Sequence, residues 1–481
     1  MSTLKRFFKD TIIYGIASVL PRVVTILLVK LKTSVFKTEV FATDTTYYIY
    51  AAYLNVLLTY GMETAFFRFF TKEKDKGKII STTFISLLVT TCVFLVIAWY
   101  FSNTLSIFLG FSNPLFFKLL ITTIFFDTIV VIPFAYLRVS NKPIKFALYK
   151  IGNVLIHGFF VVFFLWVVPE FDINLPPTLT NVFGEAPQVI YVFFAGVIAS
   201  LSTFLLLSPI VFKFKLEFDP LIFKQLLNYG IPIMFGGLAY AINENLDKLL
   251  QPMYIGKSEM GIYAACYKLG VFMTLFITAF RMGAEPFFFN QADTKNARTT
   301  YATILTYFTI FGSIFMFVII AYIKLFSKIV IGDAIYLQAL HIVPIILLAN
   351  LMLGIYHNLS VWYKLTDKTK YGMYISSFGA LITIVINIIF IPMFGYIASA
   401  WATLLAYTTM TLISYFLGRK HYPVPYQLSK ILLYLGITIV LSYLSFYQFQ
   451  ENYYVSSALL ILFLGLIYFF ERKNLKMILV E

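Results

Sequence analysis

The feature that most constrains this chain is a succession of apolar stretches, each about as long as a membrane-spanning helix. A helix that crosses the hydrocarbon core needs about 20 predominantly apolar residues. Stretches of that kind fall at 10–32, 44–66, 79–100, 115–137, 146–168, 188–212, 226–250, 259–282, 299–322, 336–358, 371–393, 396–417, 428–447 and 453–470, fourteen in all. Of the 481 residues, 60% are hydrophobic and 12% charged, whereas soluble domains carry about 25% charged residues. That leaves too little polar surface for a water-facing globule of this size. No connecting loop is long enough for a separate domain. The chain is expected to be an all-α polytopic membrane protein with no soluble catalytic domain.

Lysine and arginine orient such a bundle, because loops on the cytoplasmic side carry an excess of both. With the N-terminus inside, 26 of the 37 Lys and Arg fall on the inward side and 8 on the outward side. The other three, Arg22, Lys150 and Lys268, lie deep. The bias places both termini in the cytoplasm. The net charge of +15 is therefore a membrane-orienting charge, and nucleic acid is not an expected partner. Residues 1–9 are basic and precede an apolar stretch without a small-residue cleavage site, the pattern of an uncleaved first helix. The longest outward loop, 169–187, is acidic and contains proline. Cys92 and Cys266 sit in apolar runs and read as core thiols rather than a disulfide.

The chain contains an internal echo. Tyr14-Gly15-Ile16 and Tyr229-Gly230-Ile231 open the first and seventh stretches, and Pro21-Arg22 stands in register with Gly236-Gly237. Met62-Glu-Thr-Ala-Phe-Phe-Arg-Phe69 after the second stretch is answered by Met282-Gly-Ala-Glu-Pro-Phe-Phe-Phe289 after the eighth. Leu137-Arg-Val-Ser-Asn-Lys142 is answered by Tyr363-Lys-Leu-Thr-Asp-Lys368. Three similarities in one order imply a duplicated six-helix unit. Six is even, so both copies share one orientation, an arrangement that in transporters places the substrate between two rocking halves. The expected division is an N-terminal lobe over 1–215, a C-terminal lobe over 216–420, and two further helices with a cytoplasmic tail over 421–481.

A 6 + 6 + 2 helix plan with both ends inside, and the segment Gly61-Met-Glu-Thr-Ala-Phe-Phe-Arg-Phe-Phe70, resemble the bacterial polysaccharide-export flippases. These belong to the multidrug/oligosaccharidyl-lipid/polysaccharide exporter superfamily. The resemblance implies two bundles around a V-shaped cavity. It implies an undecaprenyl-diphosphate-linked oligosaccharide as substrate, moved from the cytoplasmic to the periplasmic leaflet of the inner membrane. Related lipid II flippases place several arginines in the cavity, whereas here only Arg22 and Lys268 are deep in the expected cavity.

Ionisable groups at mid-membrane are costly, at least about 2.5 kcal/mol each, and normally face a cavity or a partner. Arg22 beside Pro21 and Lys268 in the eighth stretch are candidate cations for the substrate diphosphate; the alternative reading of Arg22 is a side chain that satisfies its own kinked backbone or pairs with a nearby acid. Asp127, central in the fourth stretch, is a third cavity candidate or a partner for Arg22. Glu244, Asp247 and Lys248 share one helical face, with Glu244 placed favourably to pair with Lys248. They read as an ion-coupling site for H+ or Na+, or as a helix-end salt bridge. Lys30 and Lys150 read as snorkelling side chains, Glu63 and Arg68 as an interface pair, and His157 as a core histidine or a relay.

Gly256-Lys257-Ser258 mimics the end of a phosphate-binding loop, but the required earlier glycine is Gln251, so no ATPase is expected. No metal-binding or hydrolase motif occurs. No cofactor, metal or catalytic residue is expected, and the chain does not read as an enzyme. Expected partners are the lipid-linked substrate, membrane lipids and glycan polymerase machinery. Two other readings stand beside the flippase: a multidrug/cation antiporter of the same superfamily, and a membrane-embedded glycan polymerase or ligase. The last two helices disfavour the antiporter. The duplication, and an outward loop without Arg or His, disfavour the polymerase or ligase.

Overall fold

The computed structural model describes residues 3–72, 75–292, 294–366, 368–449 and 452–480, without side chains at 3–14, 16, 18, 71–72, 211, 286, 290 and 473–480. The basic clusters expected at Lys5–Lys9 and Lys473–Lys476, and the side chains of Tyr14 and Ile16, lie outside the described side chains. Among described residues the secondary structure is helical, with no strand. Among the described residues eleven helices are long and apolar enough to cross a membrane. The chain is an all-α polytopic membrane protein.

Close packing divides the chain into Met1–Ala264 and Ala265–Glu481. The first unit holds α1 (Thr3–Val35), α2 (Thr38–Thr59), α3 (Met62–Lys72), α4 (Lys76–Tyr100), α5 (Ser102–Phe108), α6 (Pro114–Ile129) and α7 (Val131–Val139). Next come α8 (Pro143–Val162), a π-helical turn, α9 (Val168–Glu170), α10 (Pro177–Phe183), α11 (Val189–Val211) and α12 (Pro220–Tyr254). The helix α13 (Lys257–Gln291) begins here and ends in the second unit. That unit continues with α14 (Ala297–Ala321), α15 (Ile323–Val330), a 3-10 segment and α16 (Val343–Leu359). It closes with α17 (Val361–Leu365), α18 (Lys370–Phe394), α19 (Tyr396–His421), α20 (Leu428–Tyr443), a second π-helical turn and α21 (Tyr453–Val480). The seventh helix, α12, thus packs in the first unit, against α2 and α3. Packing and duplication divide the chain at different places.

The second expected span, 44–66, is broken. Tyr60 and Gly61 both have positive φ, 31° and 75°, which ends α2 and restarts the chain as α3. Glycine is the residue that tolerates this conformation. The turn presses on α12: a Cβ on Gly61 would overlap the Gly230 carbonyl, and a Cβ on Gly230 would lie 2.6 Å from the Tyr60 carbonyl oxygen. Gly230 belongs to the repeated Tyr-Gly-Ile motif, so in the second copy its missing side chain admits the other helix's backbone.

The membrane pattern is clearest on α18. Ile375, Gly379, Thr383 and Asn387 recur at intervals of four and are buried, while Phe378, Leu381, Val385, Ile388 and Ile389 are exposed. The buried Asn387 donates to the Thr383 carbonyl at 2.8 Å and accepts from Ser399 at 2.8 Å. Polar side chains find partners inside and large apolar ones face outward, as a hydrocarbon solvent requires. Cys92 and Cys266 are free thiols.

Candidate functional site

Inside the first unit α2, α3, α6, α7, α8 and α11 enclose a polar cavity of about 400 Å³. Its wall carries Asn55, Glu63, Asp127, Arg138, Lys150, Asn153 and Thr203 among Val130, Val131, Phe134 and Phe146. Arg138 donates to Glu63 at 3.2 Å and lies 4.8 Å from the Phe67 ring centroid. Lys150 sits 4.6 Å from the Phe134 centroid, and Asn153 donates to Thr203 at 2.9 Å. Lys150 and Asn153 are three residues apart on α8 and so project from one face. Cations held against aromatic faces and amides tied to hydroxyls suit a ligand that is anionic and rich in hydroxyl groups.

At the other end of α1 and α2 lies a buried ion pair. Lys32 donates to both oxygens of Asp44 at 3.0 Å. Both side chains are under a tenth exposed. The Lys32 ammonium also lies 4.8 Å from the Tyr48 centroid, and the Tyr48 hydroxyl is 3.1 Å from His157 Nε2. A related group closes α12. Lys248 donates to Asp247 at 3.1 and 3.3 Å and to the Glu244 main-chain carbonyl at 2.9 Å, and Tyr263 of α13 donates to Asp247 at 2.6 Å. Both groups combine a lysine near the end of one helix, an aspartate, and a tyrosine from the next helix.

In the second unit Arg281 donates to Glu285 through Nε at 3.2 Å and a terminal nitrogen at 2.9 Å, and Lys364 donates to the same carboxylate oxygen at 2.8 Å. The Glu285–Lys364 pair occupies the repeat segments that hold Glu63 and Arg138 in the first unit.

Residues 7–291, more than half of the chain, match the family described as Polysaccharide biosynthesis protein. The chain belongs to the polysaccharide biosynthesis protein family. Residues 232–389 also match the MatE family. No curated protein sequence is a match. Among solved structures, the lipid II flippase MurJ in an inward closed conformation is similar with a TM-score of 0.74 at 17% identity, over 96% of this chain and 100% of that one. An inward-facing multidrug resistance MATE transporter of the MOP superfamily is similar with a TM-score of 0.65 at 12% identity, over 83% and 94%. A MOP superfamily transporter from Pyrococcus furiosus follows at 0.59 and 12%, over 86% and 95%. The likeness to these solved structures shows a shared fold.

Of the residues singled out in the sequence of this family member, Asp127 lines the polar cavity. Arg22 is exposed on α1, where the helix runs on through Pro21 and the Thr25 hydroxyl donates to the Pro21 carbonyl at 2.9 Å. Lys268 is half-buried on α13 in the second unit. Neither is in the wall of the cavity within the first unit. Asp247 and Lys248 are paired as a buried group, and Lys248 also donates to the Glu244 main-chain carbonyl. Lys150 lines the cavity instead of snorkelling to a helix end. Glu63 pairs with Arg138, and Arg68 lies 4.3 Å from the Tyr229 centroid. Lys257 donates to the Gly110 carbonyl at 2.8 Å, and Ser258 is 2.7 Å from Thr38, so the apparent phosphate-loop residues tie helix ends together. Sequence reasoning missed the Lys32–Asp44 pair, although the spacing of twelve residues across a two-residue helical hairpin was a usable signal.

Proposed function

We propose that the chain flips an undecaprenyl-diphosphate-linked oligosaccharide from the cytoplasmic to the periplasmic leaflet by alternating access. The observation that carries this reading is the polar cavity walled by Arg138, Lys150, Asn55, Asn153 and Thr203 within an apolar bundle. Sugars are bound by amides and hydroxyls, and a diphosphate by cations through charge-assisted hydrogen bonds. A lipophilic drug cation would need neither. In this reading 1–215 and 216–420 are the moving lobes and 421–481 the accessory helices. Arg22, Lys268 and Asp127 face the substrate path. Glu244, Asp247 and Lys248 form the coupling site for H+ or Na+. The protein works in a bacterial inner membrane with both termini in the cytoplasm, beside glycan polymerase machinery. The same wall favours transport over glycan polymerisation or ligation, because the groups gathered there are ion-paired or hydrogen-bonded binders.

The test is deletion with complementation. Loss of the gene should abolish surface glycan and accumulate the lipid-linked intermediate. Wild-type protein should restore export, while Arg22→Ala and Lys268→Ala should not. Normal glycan after deletion, together with restored export of a drug cation by the wild type, would replace the flippase by the antiporter.

A further inference from the structure

A short helix recurs at the same place in both repeats. The helices α4 and α14 are candidate spans of 25 residues each, and each is followed, after one residue, by a short helix, α5 or α15, that leads toward the next span. At 1.5 Å per residue such a span extends about 37 Å, more than the roughly 30 Å of hydrocarbon, so both connectors stand at a membrane–water interface. Ser106 of α5 and Ser327 of α15 are both buried. They stand 221 residues apart, between the 220 from Met62 to Met282 and the 226 from Leu137 to Tyr363. The exposure around the two serines also matches. Asn103, Thr104, Ile107 and Phe108 are exposed on α5, and Lys324, Leu325, Lys328 and Ile329 are exposed on α15. The duplication thus includes this helix, and the copies differ in charge: Lys324 and Lys328 stand where the first copy has Asn103 and Ile107.

We propose that the exposed face of α15 binds the headgroup of an anionic membrane phospholipid, with Lys324 and Lys328 on the phosphate and Leu325 and Ile329 against the first carbons of the acyl chains. The opposite side of α15 is fixed by packing. Ile323, Ser327 and Val330 are buried, the Ser327 hydroxyl donates to the Lys324 carbonyl at 3.1 Å, and the Phe326 ring lies 5.3 Å from that of Phe272 on α13. Lys324 and Lys328 are four residues apart and so share one face, close enough for one phosphodiester to meet both ammonium groups. Leu325 and Ile329 follow each lysine by one residue, about 100° further round the helix. Basic residues beside exposed aliphatic ones are the composition of a helix that lies in a membrane interface. A face turned only to water has no use for the aliphatic pair, and a face turned only to lipid tails would not keep two lysines. Among the lysines expected on the outward side, Lys32 and Lys248 are bound to aspartates and Lys257 to a main-chain carbonyl, while Lys324 and Lys328 are exposed together on one helix. Asp333, the next acid along the chain, accepts from the Ile335 N–H at 2.9 Å and so caps the segment that follows. A zwitterionic headgroup would bring its own cation toward the two ammonium groups, which is why the site selects an anionic lipid.

The test titrates the full chain in detergent with phosphatidylglycerol, phosphatidylcholine or inorganic phosphate and reads the bound mass by native mass spectrometry. Wild-type protein should bind phosphatidylglycerol in preference to phosphatidylcholine. Lys324→Gln and Lys328→Gln should each weaken phosphatidylglycerol binding about 5-fold, and together about 25-fold, with phosphatidylcholine unchanged. Both side chains are exposed, so the variants should fold. Lys30→Gln with Lys37→Gln removes the same charge from two other exposed positions and should leave the preference intact. An equal loss in that control would mean that net charge alone attracts the lipid, and it overturns the site. So does a wild type without preference for phosphatidylglycerol, or a Lys324→Gln, Lys328→Gln protein that binds it as the wild type does. Inorganic phosphate that displaces the lipid at equal concentration would leave Leu325 and Ile329 without a role and overturns the lipid as occupant. A dimer that the double variant abolishes, with phosphatidylglycerol binding unchanged, would give the face to a second copy of the chain instead.

Discussion

Arg138 and Glu63 join the inner segments of the first repeat across 3.2 Å, and Lys364 and Glu285 join the matching segments of the second repeat across 2.8 Å. The two pairs fall in the two segments that repeat along the sequence, with Arg138 and Lys364 in register and Glu285 two residues beyond Gly283, the position that matches Glu63. They differ in exposure and in company. The Arg138–Glu63 pair is nearly half exposed, while Glu285 is shared with Arg281.

Glu63→Ala should therefore cost little stability, about 0.2–1 kcal/mol, because half-exposed pairs are screened. Glu285→Ala should cost more, since it leaves Arg281 and Lys364 facing each other without their common acid. Thermal denaturation of purified protein in detergent checks the order. Equal shifts would mean that the shared carboxylate is not what holds the second pair together.

The backbone contact between the Tyr60-Gly61 turn and Gly230 leaves no room for a methyl group. Gly230→Ala and Gly61→Ala should each lower the yield of monodisperse protein, by an amount consistent with about 1–3 kcal/mol of overpacking. Gly236 lies on the same helix α12 with open space at its Cβ position. Gly236→Ala should be tolerated and serves as the control in fluorescence-detected size exclusion.

Lys32 and Asp44 are both buried, so removing one strands the other. Asp44→Ala should destabilise by about 3–5 kcal/mol, the cost of an uncompensated buried charge. The double change Lys32→Met with Asp44→Leu should recover much of that loss. A double-mutant cycle on thermal stability measures the coupling, and additive single effects would contradict the pairing seen here.

The α12 group makes a different forecast for its two acids. The lysine donates to the Glu244 main-chain carbonyl, a contact that Glu244→Gln retains. Asp247 holds both Lys248 and Tyr263, so Asp247→Asn should lower protein level as well. If this group couples transport to an ion, both variants lose gradient-dependent flipping in vesicles. Tyr263→Phe, which spares every charge, should weaken ion dependence about 10–150-fold, the equivalent of one hydrogen bond to a charged group. Unchanged ion dependence in all three would remove α12 from the coupling step.

In sequence, Lys30 and Lys32 end the first helix where Glu244, Asp247 and Lys248 end the seventh. In space Lys32 is neutralised by Asp44 from the following helix, and Lys248 by Asp247 from its own. Local sequence windows register charge along a helix but not across a hairpin. The same limit explains Glu63: its neighbour Arg68 is close in sequence, while its partner Arg138 comes from α7.

What the sequence by itself determined is the solvent and the architecture. Bilayer-length apolar runs dictate helices, because a backbone in hydrocarbon must satisfy its own hydrogen bonds. The order of three repeated segments exposes the duplication, and Asp127 stands out because a carboxylate amid apolar residues needs a polar neighbourhood. Tertiary structure alone decided which polar groups meet. The cavity wall draws on six helices spread from Asn55 to Thr203, and the partners of Lys32, Glu63 and Tyr48 lie on other helices at separations of 12, 75 and 109 residues. Such contacts depend on which faces of separate helices pack together, and helix packing is set by side-chain fit along whole interfaces rather than by any short stretch of sequence.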